Sequence, residues 1–291
     1  MKKKFCFLGF GQVAKFFLKK IIKENIDFKF ITTSRDPEET KIFNGLEYKN
    51  FQLNDNNFNN KLIDEIDEID HILISTPPIN GIDLNLKYLG DIIKNSKKIK
   101  WITYLSATSV YGDHKGEWVT EESKTKPTSA NGLNRLKAET AWSEISIRFK
   151  LPLQVFRLAG IYSKDNNVLK RLKTGNTQII DKKNHFFSRI HVEDIANILF
   201  KSLKNFKNNQ IYNICDDKPA SQSEVASYGA ELLKLEKPNL IRIEDVESVM
   251  LKNFYKDSKK VDNKKMKTFF NYSLKFPTYV EGLNHIFDNN I

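Results

Sequence analysis

The chain has 291 residues, 40% of them hydrophobic, which is enough to bury one large α/β core or a core with a smaller appended lobe. No apolar run approaches the roughly 18 residues of a membrane span, and the run after Lys2-Lys3-Lys4 meets glycine too soon for a secretory signal; a soluble, cytoplasmic protein is expected. Lys and Arg exceed Asp and Glu by 47 to 36, but the lysines are scattered (Lys19-Lys20, Lys97-Lys98, Lys259-Lys260, Lys264-Lys265), a solvated surface and not a nucleic-acid face.

Lys4 to Phe7 reads as a buried strand, and Leu8-Gly9-Phe10-Gly11-Gln12-Val13-Ala14 follows it directly. Val13, Phe16, Phe17 and Ile21 then recur at helical spacing, so the order is strand, glycine turn, helix. In that setting Gly9 permits the tight turn, Gly11 lets the backbone approach a pyrophosphate, and Ala14 takes the helix-packing position. The anion would rest on the free N–H groups at the helix start, beside Gln12 and Val13.

Phe28 to Thr33 reads as the second strand, and Asp70 to Ser75 as a later one that ends at Thr76-Pro77-Pro78. Helical spacing returns with Leu84, Tyr88 and Ile92. Ile99 to Ser106 is the next strand, a polar loop runs to about Ala130, a helix covers Asn131 to Phe149, and Val155 to Ile161 closes the series. Beyond residue 162 the alternation loosens: a basic helix near Val168 to Lys173, a short strand, Arg189 to Asp194 entering a helix, a core strand from Ile211 to Cys215, and a last helix from Val280 to Phe287. Alternating strands and helices imply a Rossmann-type, doubly wound parallel sheet with a smaller interleaved C-terminal substrate lobe. The expected division is a dinucleotide-binding core over 1–162 and a lobe mainly over 163–291, with about 191–215 returning to the core. Cys6 and Cys215 show no CxxC spacing, and His71, His185 and His285 no metal-ligand spacing, so neither disulfide nor metal is expected.

Ligands of such sheets lie beyond the carboxyl ends of the strands, where Gly9, Thr33, Ser75 and Ser106 fall. The second strand ends Thr32-Thr33-Ser34-Arg35 without a carboxylate to bind a ribose 2′-hydroxyl, so hydroxyls and a guanidinium are available for a 2′-phosphate. NADP is therefore expected ahead of NAD, although Asp36 could pair with Arg35. The cofactor contacts expected are Gly9, Gly11, Gln12, Val13, Thr33, Ser34, Arg35, Ser75, Thr76, Pro77 and, on the long helix, Arg135.

Leu105-Ser106-Ala107-Thr108-Ser109-Val110-Tyr111-Gly112 resembles the Ser-Ser-x-x-Val-Tyr-Gly segment of the extended short-chain dehydrogenase/reductases. Glu121, Pro127, Glu139, Arg157 to Tyr162, Arg189 to Asp194, Tyr212-Asn213 and Pro277-Thr278-Tyr279 follow the order of the NAD(P)-dependent epimerase/dehydratases, and the glycine turn looks like that of the atypical branch. The resemblance implies a Ser or Thr that orients substrate, a Tyr that exchanges a proton, and a Lys that lowers the Tyr pKa and holds the nicotinamide ribose. Counted from Tyr111 and Glu139, those positions are Ala107, Asn131 and Arg135. Asn does not titrate, and Arg binds a ribose or phosphate without reproducing a tunable Lys.

Tyr111 to Lys115 and Tyr255 to Lys259 are literal Tyr-x-x-x-Lys strings, but neither lies on the helix that should carry the pair, and 10 tyrosines among many lysines make chance matches. The remaining candidates for catalysis are Ser106, Thr108 and Tyr111, with Arg189 for an anionic substrate; His114 reads as solvated, and His191 as a helix cap packed in the core. An NADP-dependent oxidoreductase or epimerase/dehydratase-like enzyme on a small carbonyl, alcohol or sugar-derived substrate is expected. The alternative is a catalytically silent NADP-binding sensor or assembly protein. The partners expected are that small molecule and, as an option, a second copy of the chain, with no nucleic acid and no membrane.

Overall fold

The computed structural model describes residues 2–175, 179–180, 182, 184–247, 252 and 255–289. The chain opens with β1 (Lys3–Leu8), α1 (Gln12–Lys23), β2 (Phe28–Ser34), β3 (Glu39–Phe43), β4 (Leu46–Gln52), α2 (Lys61–Ile66), β5 (His71–Ile74), α3 (Leu84–Asn95) and β6 (Trp101–Ala107). A 3-10 turn (Thr108–Tyr111), β7 (Trp118–Val119), α4 (Ala130–Phe149), β8 (Leu153–Leu158), β9 (Gly160–Tyr162), α5 (Val168–Lys173), β10 (Ile179–Ile180), β11 (Arg189–His191), α6 (Val192–Ser202) and β12 (Gln210–Ile214) follow. The last elements named are α7 (Gln222–Leu232), β13 (Leu240–Ile241), β14 (Lys260–Val261), α8 (Lys264–Phe270) and α9 (Tyr279–Asp288).

Eight strands form one sheet in the order β12-β8-β6-β5-β1-β2-β4-β3. β1 pairs in parallel with both β2 and β5, Leu8 opposite Thr33 on one side and Ile74 on the other. The chain therefore winds outwards in both directions from β1, and the crevice of a doubly wound sheet opens where β1 and β5 end. The expected α/β, Rossmann-type sheet is what the chain forms. β1 and β5 are buried on both faces, as parallel strands covered by helices must be. α1 lays Val13, Ala14, Phe17, Leu18 and Ile21 on the sheet, with the Phe17 ring edge-on to Phe5 and Phe7.

Two elements depart from the periodicity reading. Residues 39–52 form a hairpin, β3 antiparallel to β4 at the sheet edge, turned by Asn44 and Gly45, both at positive φ. The Val155 to Ile161 run, expected as one strand, is split at Ala159: β8 stays in the large sheet, the Ala159 N–H donates to Ile214 O, and β9 pairs with β11.

By compactness the chain forms two units, 1–106 with 133–157 and 196–212, and 107–132 with 158–195 and 213–291. The first has its core around Cys6, Ile72, Ile102, Tyr104 and Trp142. The second packs Tyr162, Leu169, Val225, Tyr279 and Leu283 together. Among the described residues no helix is long and apolar enough to cross a membrane.

Candidate functional site: a nucleotide turn and an altered catalytic set

In the sheet unit, Gly9 turns the chain at φ +89°, and its N–H donates to Thr33 Oγ1 at 3.0 Å. Ser75 Oγ donates to Gly9 O at 2.7 Å, and the N–H groups of Ser75 and Thr76 both reach Leu8 O. Thr33 and Ser75, from the two strands flanking β1, thus brace the turn from either side. A Cβ on Gly9 would lie 2.8 Å from Thr76 Oγ1 and 2.9 Å from Ser75 Oγ, so both sterics and φ require glycine. Gly11 begins α1 with no side-chain cap and with no atom within 4 Å of where a Cβ would stand. That open side, and a buried Thr76 Oγ1 without a hydrogen-bond partner among the described residues, suit a ligand's approach to the first N–H groups of α1, where Gln12 and Val13 sit. Pro77 is exposed just beyond.

At the end of β2, Ser34 Oγ accepts from Asn50 and donates to the Asp36 carboxylate, whose Oδ2 also takes the Lys41 ammonium at 3.1 Å. The Lys41 hydrogen bond and charge hold Asp36 below the usual carboxylate range. The expected competition between Asp36 and Arg35 therefore resolves towards Lys41, which approaches from the hairpin strand β3. Among the described residues Arg35 is tied only through its backbone carbonyl, by Gln52 and Asn54, and it lines a concavity of about 360 Å³ with Asn54, Asp55, Asn56, Asn57 and Ile79.

Ser106, next to last in β6, is 3% exposed. Its hydroxyl donates to Glu139 Oε2 at 2.7 Å, and Arg157 Nε reaches both oxygens of the same carboxylate at 3.2 Å. β6, α4 and β8 each contribute one member to this buried triad. One turn earlier on α4, Arg135 donates from NH1 to Leu105 O at 2.8 Å, beside the Tyr104 phenol, which burial pushes up. The guanidinium is thereby anchored at the end of β6.

In the second unit, the Tyr111 hydroxyl is fully buried and donates to Asn213 Oδ1 at 2.7 Å. The Asn213 N–H in turn donates to Glu121 Oε1 at 2.7 Å. Ser106 and Tyr111 thus spend their protons on fixed protein acceptors, whereas half-buried Thr108 has no such acceptor among the described residues. Asn131 is exposed at the start of α4, and Gly132 behind it is pressed on Ser109 O, 2.7 Å from where its Cβ would be. Arg189 donates from NH1 to Phe187 O and Ala220 O and from NH2 to Gln222 Oε1, which engages much of its fork in holding the chain. His114 Nε2 lies 3.2 Å from Lys124 O. His191 is 2% exposed; its Nδ1 accepts from Glu193 N–H, and its ring packs on Phe276 and Tyr162. Among the described residues no cluster of His, Cys, Asp or Glu could hold a metal.

The sequence profile of the NAD dependent epimerase/dehydratase family matches residues 9–215. A functionally unknown conserved protein from Silicibacter pomeroyi is 32% identical, with 99% of each chain covered and a TM-score of 0.87. The dTDP-glucose 4,6-dehydratase of Bacillus anthracis, solved with NAD, is 16% identical over 99% of this chain and 96% of that one, with a TM-score of 0.79. UDP-N-acetylglucosamine 4-epimerase of Bacillus cereus is 17% identical over 99% of each chain, with a TM-score of 0.76. These last two likenesses show the fold. Among curated protein sequences nothing matches the chain.

Proposed function

The chain belongs to the NAD dependent epimerase/dehydratase family, and from that premise we propose that it binds NADP and acts as an oxidoreductase or epimerase-like enzyme on a small carbonyl, alcohol or sugar-derived substrate. The observation that carries NADP over NAD is the pairing of Asp36 with Lys41, which leaves the Arg35 guanidinium without an acidic partner among the described residues. Gly9 and Gly11 would seat the pyrophosphate, with Gln12 and Val13 at the helix start. Arg35 and Ser34 would take the 2′-phosphate, with Thr33, Ser75, Thr76 and Pro77 lining the strand ends and Arg135 reaching the nicotinamide ribose. A bound nicotinamide supplies hydride transfer. The protein must then orient the substrate and exchange one proton, and Thr108 would do the orienting, its Ser106 and Tyr111 neighbours already donating elsewhere.

Titration with NADPH and NADH, followed by quenching of protein fluorescence, tests the cofactor reading. NADPH binding at least about tenfold tighter is expected, a difference of about 1.4 kcal/mol. Tighter NADH binding overturns it.

The second reading, a silent NADP-binding protein, draws on the same two committed hydroxyls together with Ala107, Asn131 and Arg135. It predicts tight NADPH binding with no turnover across aldehydes, ketones, 2-oxo acids and sugar nucleotides. Turnover of any of them removes it.

A further inference from the structure

Lysines that lie scattered along the sequence are gathered by the fold. Parallel strands of one sheet begin at the same edge, and the helices that return the chain end there too. In the sheet unit that edge collects residues 2–4, 20–29, 67–70, 97–100, 150 and 201–207, which hold thirteen lysines and five acidic residues. The nucleotide turn lies at the other ends of these strands, about 20 Å away along the six residues of β1.

The register sets part of this charge in a row. Lys4 stands opposite Lys29 across β1 and β2. On the other side of β1 the Asp70 N–H donates to Lys4 O, and the Lys100 N–H donates to Asp70 O. Lys100, Asp70, Lys4 and Lys29 thus cross three strand spacings, about 14 Å, over which one strand of a duplex presents about four phosphates. The acids in the row are already engaged. Asp70 Oδ1 accepts from the Lys4 N–H at 2.9 Å, and Glu68 takes the ammonium groups of both Lys4 and Lys98, which hold its carboxyl down to about 2. Lys29 and Lys100 are exposed and have no ion-pair partner among the described residues.

Lys20, Lys23 and Lys201 close α1 and α6, where the helix dipole favours a cation. Lys4, Lys29 and Lys100 stand at strand starts, where no comparable dipole acts. Like charges on neighbouring strands repel, a cost that an approaching polyanion removes. The exposed large apolar side chains of the sheet unit, Ile42, Leu46, Ile82, Leu133 and Ile147, all lie outside these segments, so the surface offers charge and nothing to insert into a bilayer.

We propose that this edge of the sheet unit binds a nucleic-acid backbone, RNA or DNA, through its phosphates and not its bases. Ammonium groups that displace counterions from a phosphate chain give an affinity set by salt and tolerant of sequence. The surface is separate from the nucleotide turn, so cofactor and nucleic acid bind together. The inference stands on lysine placement alone and survives a failure of the cofactor reading.

Fluorescence anisotropy on the full chain tests it, with labelled RNA and DNA of about 20 nucleotides, single-stranded and duplex, and phosphatidylserine vesicles as the membrane arm. Binding to all four nucleic acids is expected, weakening on duplex roughly a hundredfold between 50 and 200 mM salt, the slope of about four phosphates. Lys29→Glu/Lys100→Glu should lose at least about tenfold and make the salt slope shallower by about two. Lys87→Glu/Lys137→Glu, the same charge change at exposed positions of α3 and α4, should lose less than about threefold. If the first pair melts early, Lys29→Gln/Lys100→Gln takes its place. Saturating NADPH should leave binding unchanged. Equal losses in the two pairs would show that net charge alone attracts the polyanion and overturn the assignment. Displacement by NADPH, binding to vesicles without nucleic acid, or no binding at 50 mM salt would overturn it as well.

Discussion

Arg157 presents its Nε evenly to the two oxygens of Glu139, 3.2 Å from each, with both side chains almost wholly buried. Removing one member leaves a charge in the core with no counterion, a loss of about 3–5 kcal/mol. Glu139→Gln and Arg157→Met should each lower the melting temperature by on the order of 10 °C. The double variant Glu139→Met/Arg157→Met should melt above either single one. Single variants that melt with wild type would show that the pair does not hold β8 to α4.

Gly9→Ala meets both a positive φ and two hydroxyls within 2.9 Å. A destabilisation of about 1–3 kcal/mol is expected from the backbone conformation alone. NADPH affinity should fall at least about tenfold, because the N–H groups that would seat the pyrophosphate move with the turn. Calorimetric melting and a fluorescence titration read the two effects separately.

Arg35→Ala should weaken NADPH by roughly tenfold to a hundredfold, the range of one charge-assisted contact, and move NADH by less than about threefold. Lys41→Met should act in the same direction and more weakly, because it frees Asp36 to turn to Arg35. Equal losses for both cofactors would place the 2′-phosphate elsewhere.

Burial pushes the His191 imidazole down to about 4 from an ordinary value of 6.5, and its Nε2 has no hydrogen-bond partner among the described residues. The fold holds the ring neutral, whereas the unfolded chain protonates it below its ordinary value. The stabilisation is therefore full above about pH 6.5 and is lost as pH falls through about 4, a change of about 3 kcal/mol. His185, also pushed to about 4, works in the same window. His191→Phe loses the acceptor for Glu193 N–H and should melt lower at pH 7, yet lose less between pH 7 and 4.5. Parallel melting curves for the two proteins would contradict this.

The strand-turn-helix opening, the long helix and the alternation that makes a doubly wound sheet could be read from periodicity because each depends on local spacing and on burial on both strand faces. The β3–β4 hairpin escaped that reading although Asn44-Gly45 between alternating residues is its signal; Glu39 to Gln52 has too few apolar residues to look like a core strand. Around the candidate site the sequence named residues but not their hydrogen-bond partners. Glu139 and Arg157 stand out as motif residues, but that Ser106 gives them its proton depends on three elements meeting. Likewise, the side chains competing for Asp36 are settled by a strand that sequence neighbours of Arg35 do not disclose.

The chain leaves the sheet unit after Ser106, rejoins it at Leu133, leaves after Arg157, returns at Ala196 and departs for good after Tyr212. During synthesis from the N-terminus, the sheet therefore waits for its outermost strand, β12, until Ile214 has been made. By then two segments of the other unit have emerged without the third that completes their core. A chain terminated before Tyr212 therefore contains neither unit whole, although the glycine turn and most of the sheet strands have already been made.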